Sequence, residues 1–134
     1  RGMLLATLGI IAARHGDRDR AVGAIRELDR HPELWTSEHN SGAVMRARAE
    51  LAVLDGKPLE AITAMREAIR SWQAANANLN QAICRFRLGQ LLAGEGDIPG
   101  ALLEVDAAEA AFGMLHAPKR ARMCAEVRRS LAPK

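Results

Sequence analysis

Leu88-Gly89-Gln90-Leu91-Leu92-Ala93-Gly94-Glu95-Gly96-Asp97-Ile98-Pro99-Gly100-Ala101 is the stretch that decides the fold of this chain. It reads as the end of one helix, a turn and the start of a second helix. Leu88 and Leu92 stand on one helical face. Gly94-Glu95-Gly96 interrupts the pattern, and a glycine just past a helix supplies the left-handed backbone that a C-terminus favours. Asp97 suits the cap of the next helix, and Pro99 falls in its first turn, where a missing N–H is harmless. Two helices joined by so short a connection fold back as a hairpin.

The same plan recurs upstream. Gly16, Gly56 and Gly96 are 40 residues apart, and so are Ala21, Ala61 and Ala101, and Gly9, Ala49 and Gly89. A fixed step of this size signals stacked repeats. The units run over about 2–41, 42–81 and 82–121, and a further helix over about 118–131 caps the last hairpin. The expected fold is all-α: a right-handed α-α superhelix of three hairpins and a capping helix, one domain over 1–134. The opening Arg1-Gly2-Met3 already lies inside a helical pattern, as in an excised piece of a longer protein.

Each helix has an expected inner stripe. In the first unit, Leu4, Leu5, Leu8, Ile11 and Ala12 precede Gly16, and Ala21, Ile25 and Leu28 follow Asp17. In the second, a helix begins near Ser37 or Ser41 with Val44, Met45, Ala49, Ala52 and Val53, and Ala61, Ile62, Met65, Ala68, Ile69 and Trp72 follow Pro58. The third carries Ala82, Ile83, Phe86, Leu88, Gly89 and Leu92, then Ala101, Leu102, Val105, Ala108 and Phe112. Met123, Val127 and Leu131 form the stripe of the capping helix. Where the helices of one hairpin cross, Gly9, Ala49 or Gly89 should face Ala21, Ala61 or Ala101, because a bulky side chain there would push the axes apart. Trp72 and Phe112 share a repeat position and should wedge the links between hairpins, with Trp35 as a third large residue.

Composition supports this picture. With 49% hydrophobic residues but only 3% aromatic and no Tyr, the core must be aliphatic and alanine-rich, which suits close helix packing. Nineteen basic and sixteen acidic residues leave a net charge of only +3, spread as helix-surface pairs rather than the concentrated stripe of a nucleic-acid binder. Lys119, Arg120, Arg122, Arg128, Arg129 and Lys134 come nearest to such a patch and read better as a solvated helix face. Cys84 and Cys124 occupy one repeat position and read as reduced, semi-buried packing thiols of a cytoplasmic protein. No run approaches the ~20 apolar residues of a membrane span. His15, His31, His39 and His116 fall near helix ends without metal-ligand spacing, so no metal is expected. No nucleophile or phosphate-loop motif is present, and the reading is noncatalytic, without cofactor.

Leu88-Gly89, Leu92, Gly96, Ala101, Val105 and Ala108 resemble the tetratricopeptide repeat. Leu8-Gly9, Ala12, Gly16, Ala21, Ile25 and Leu28 match it again, as do Ala49, Ala52, Gly56, Ala61, Met65 and Ala68, with Arg48 in place of the usual Leu. The step of 40 exceeds the common 34, and the six additional residues are expected in the helices and in the links at Leu34 to Asn40, Ala74 to Asn80 and Leu115 to Arg120. Leu5, Met45 and Arg85 replace the family's early aromatic residue. Long-period, alanine- and arginine-rich arrays of this kind look like those of large bacterial signalling ATPases and LuxR-type regulators.

That resemblance implies a module that binds a protein or peptide partner, or a small effector, on a concave face. The face would present Met3, Ala6, Ile10 and Ala13, then Ala43, Arg46, Ala47 and Glu50, then Ile83, Phe86, Arg87 and Gln90. Arg46 and Arg87 could hold an anionic group. Ala6, Ile10 and Ala47 replace the Lys and Asn residues of the family's carboxylate clamp, which is therefore disfavoured. The alternatives are a structural spacer or self-association through exposed solenoid ends, and nucleic-acid binding through the basic last helix.

Overall fold

The computed structural model of the chain describes residues 1–35 and 37–133, with Trp35 and His39 described by backbone alone. The described residues form seven α-helices and no strand: α1 (Gly2–Arg14), α2 (Arg18–Arg30), α3 (Glu38–Leu54), α4 (Pro58–Ala74), α5 (Asn78–Gly94), α6 (Ile98–Met114) and α7 (Pro118–Leu131), with a 3-10 turn at Pro32–Trp35. The fold is all-α. Contacts divide the chain into two compact units, Arg1–Asn76 and Ala77–Lys134, where the repeat register suggests a single run.

The local punctuation has a finer step than 40. Helices α3 to α7 begin at Glu38, Pro58, Asn78, Ile98 and Pro118, a step of 20. Gly16, Gly56 and Gly96 close their helices at φ 77°, 70° and 83°, and Asn76 and His116 do the same at φ 55° and 56°. At Gly16 the backbone N–H donates to Ala13 O, and Asp17 N–H reaches back to Ala12 O at 2.8 Å. Identical paired bonds satisfy the orphan carbonyls at Gly56, Gly96 and His116. Asp17, Ser37 and Asp97 cap the following helices by accepting from the N–H three residues on. The links after α4 and α6 are only residues 75–77 and 115–117, so the longer period lengthens the helices and not those links.

In the first unit α1 packs on both α2 and α3, and α3 packs on α4. In the second, α5 packs on α6 and α6 on α7. Two expected stripes are shifted in part. In α1 the expected Ala12 is buried, but Leu4, Leu8 and Ile11 are exposed and Ala6, Gly9, Ile10 and Ala13 take their place. In α7 the expected Val127 packs against the core cluster, but Met123 is exposed and its neighbour Cys124 is the buried residue. Small residues win these contacts because they let a helix sit against two neighbours at once.

The crossings differ from unit to unit. A methyl built on Gly89 would stand 2.7 Å from Val105 Cγ2 and 3.2 Å from the Ala101 carbonyl oxygen. One built on Gly9 would meet Ala24, Ile25 and Ala47 at 3.6–3.8 Å, so Gly9 faces Ala24 rather than Ala21. Ala21 packs with Ala12 and Ala13. Ala49, Ala61, Ala101 and Ala108 are completely buried. Trp72 and Phe112 are core residues of their own units, and Ala117 of the link after α6 packs against the cluster that holds Phe112. Trp72 lies over Gly42, where an added methyl would be 2.7 Å from the indole Cδ2 and Cε2. Forty residues on, the smaller Phe112 shares a cluster with Ala82. The pairs Gly42–Trp72 and Ala82–Phe112 thus trade volume between partners at equivalent positions.

Gly42→Ala should destabilise the chain by roughly 1–3 kcal/mol through overpacking. Trp72→Phe should also destabilise it, by leaving part of the indole's space empty. The double variant copies Ala82–Phe112, and its loss should fall short of the summed single losses by about 0.5–3 kcal/mol. Urea denaturation of the four proteins reads this coupling, and strict additivity would contradict the volume trade.

Candidate functional site

In the first unit the residues expected along an open groove are mostly core. Ala6, Ala43 and Ala47 have no side chain long enough to hold α1 and α3 apart, and all three are buried together with Ile10 and Ala13. Glu50, expected to meet a partner, is only 2% exposed. Its carboxylate Oε2 lies 3.5 Å from Nη1 of Arg14 on α1, whose exposed guanidinium sets an opposite charge at the edge of the core. Arg46, one turn before Glu50, is half-buried, and its Nε is buried without a hydrogen-bond partner. Arg48, where the repeat pattern led us to expect Leu, has a visible role: its Nη2 donates to Asp29 on α2. Arg18, at the start of α2, grips Asp55 at the end of α3 with two bonds of 2.6 and 3.2 Å. That hydrogen bond holds the Asp55 carboxyl below its ordinary range and raises Arg18.

The other four expected residues lie on α5 in the second unit. Ile83 and Phe86 are half-buried against the cluster of Ala82, Val105, Ala108, Phe112 and Cys124. Arg87 Nη1 donates to Gln90 Oε1 at 3.4 Å, one turn along the same helix. Both residues are half-buried.

A different surface of this unit is open. A groove of about 410 Å³ runs between α5 and α6, bounded by Asn78, Gln81 and Arg85 on one side and by Ala107, Met114 and Leu115 on the other. Met114 is 84% exposed. Arg85 Nη1 donates to Glu104 Oε2 at 3.0 Å, which fixes the guanidinium across the two helices. Sequence reasoning missed this groove because Ala107 and Met114 fall outside the helix's inner stripe. The signal lay in Arg85, a charge where an aromatic residue was expected.

The basic helix α7 is partly neutralised. Arg128 Nε donates to Asp106 Oδ1 at 2.8 Å, and its Nη2 pairs with Glu109. The Arg120 guanidinium lies 6.0 Å from the centre of the Phe112 ring, within cation–π range. Lys119, Arg122 and Arg129 are exposed, and Lys134 lies outside the described residues. His15 caps α1, its Nδ1 2.9 Å from the Ile11 carbonyl, and His31 bridges Glu27 and Glu33. Among the described residues no three of His, Cys, Asp and Glu gather as metal ligands, and no helix is long and apolar enough to cross a membrane.

Cys84 and Cys124 form no disulfide and are completely buried, deeper than the semi-buried position expected. Burial pushes the Cys124 thiol up to about 11 from 9.0. No protein-family model matches this chain, and neither does any curated protein.

The Cys124 shift has a definite sign. Its raised value in the folded state means that neutral Cys124 contributes stability that is whole below pH 9.0 and is lost as the pH climbs toward about 11. Denaturation midpoints measured from pH 8 upward, on the approximate scale that the shift sets, should therefore fall more steeply for the native chain than for Cys124→Ala. Parallel curves would contradict the assignment.

Proposed function

We propose that this chain is a noncatalytic binding module of the long-period tetratricopeptide-like kind, working in a cytoplasmic bacterial regulator of transcription or signalling. Its partner is a protein segment. The groove between α5 and α6 is the observation that carries this reading. One wall is apolar, with Met114 and Leu115 at the end of α6, and the other is polar, with Asn78 and Gln81 in the first turns of α5. A pair of unlike walls suits an amphipathic helix, whose apolar anchors recur every three to four residues, and orients it by its polar face. Exposed Met114 adds an unbranched thioether that can repack around different anchors.

Panning a displayed peptide library on the intact chain tests this reading, with Ala107→Arg as the counter-target. Ala107 is exposed on the groove wall, so the variant should fold normally while obstructing the groove. The expected result is a family of amphipathic sequences that bind the native chain and lose at least about tenfold in affinity for the variant. Recovery of no binders, or of binders indifferent to Ala107→Arg, would contradict the proposal.

A further inference from the structure

Leu4, Leu8 and Ile11 follow one another at i, i+4 and i+7 along α1 and are 74%, 45% and 51% exposed. Scattered exposed leucines are ordinary on a protein surface, but a continuous row on one helix is an unpartnered face. The repeat register shows what covers such a row. Forty residues on, the same positions are Val44, Arg48 and Leu51 of α3, and 120 residues on they are Cys124, Arg128 and Leu131 of α7.

Both of those rows meet the second helix of the hairpin before them. Val44 is completely buried, Arg48 pairs with Asp29 on α2, and Leu51 packs with Ala21 and Ile25, also on α2. Cys124 packs with Val105, Ala108 and Phe112 of α6, and Arg128 pairs with Asp106 and Glu109 of the same helix. Only on α1 is the row uncovered among these three. We propose that the Leu4–Leu8–Ile11 face is a stacking interface for the second helix of another helical hairpin built on this 40-residue plan.

The side chains of α1 specify that helix further. Arg48 meets Asp29 and Arg128 meets Glu109, positions 80 residues apart in both members of the pair. On α1 the corresponding residue is Leu8, so the incoming helix carries an aliphatic residue where α2 has Asp29. α4 has Ile69 at that position and is the template for the occupant. A second copy of α1 fits badly. The helix and its cap carry only basic charges, Arg1 and Arg14, which already pair with Glu27 and Glu50 and so offer a second copy no acid-to-base tie of the Arg48–Asp29 kind.

A labelled peptide of the α4 sequence, residues 58–74, provides the probe, stapled between its exposed Thr63 and Glu67 positions to hold it helical. Fluorescence anisotropy against the intact chain should show saturable binding. Leu8→Lys should weaken it by at least about tenfold while leaving the melting temperature unchanged, because Leu8 is already exposed. Leu4→Lys and Ile11→Lys provide independent variants of the same face. An Ile69→Asp peptide should bind the native chain poorly and regain affinity for Leu8→Arg, which recreates the Arg48–Asp29 pair. Absence of saturable binding would overturn the proposal, as would binding indifferent to all three lysine variants. A concentration-dependent dimer abolished by Leu8→Lys would also overturn it, assigning the face to a second copy.

Discussion

The constraint on which this structure rests is the missing side chain at helix crossings. At Gly89 the α6 backbone and the Val105 methyl approach so closely that even a methyl group would collide. At Gly42 the flat face of Trp72 occupies the same kind of space. Alanine does the equivalent work at Ala6, Ala47, Ala49, Ala61, Ala101 and Ala108, each completely buried. Close approach brings backbone against backbone and lets modest aliphatic side chains fill the remaining volume at interior density. It also explains how a chain with so few aromatic residues builds a core: Trp72 and Phe112, among the largest fully buried side chains, each anchor one unit.

Tight seams decide which faces remain for function. Because α1 and α3 pack directly through alanines, the face expected to bind a partner in the first unit is consumed by the fold, and Glu50 becomes an internal ion-pair partner of Arg14. The surfaces left over are those that packing does not claim: the α5–α6 groove and the outer row of α1. Polar residues in the packing rows serve the seams as well. Arg48 and Arg128 occupy one repeat position and reach acids at another, so a departure from the apolar pattern becomes a helix-to-helix tie. Such ties are partly exposed, and they specify register more than they add stability.

Much of the fold was legible because glycine and alanine mark geometry. Gly16, Gly56 and Gly96 announced the turns, and all three take the left-handed backbone there. Two of the five described left-handed turns were hidden because Asn76 and His116 take that conformation without being glycine. The choice of inner face was harder. In α1 both the Leu4–Leu8–Ile11 row and the Ala6–Ile10–Ala13 row have helical spacing, and periodicity alone favours the bulkier one. Only the requirement to touch two helices at once selects the alanines. The candidate site was less legible still, since Met114 and Ala107 become groove walls through tertiary placement and not through any local pattern.

The most direct measurement compares Gly89→Ala with Gly9→Ala in urea denaturation. Alanine is the better helix former by about 1 kcal/mol, so an uncrowded site should gain or hold stability. Gly9 has ordinary contact distances around it and should follow that rule, whereas Gly89 has a side chain and a backbone oxygen in the way. The account predicts a loss of roughly 1–3 kcal/mol for Gly89→Ala and none for Gly9→Ala. Equal or greater stability of Gly89→Ala would contradict close helix approach as the basis of the fold.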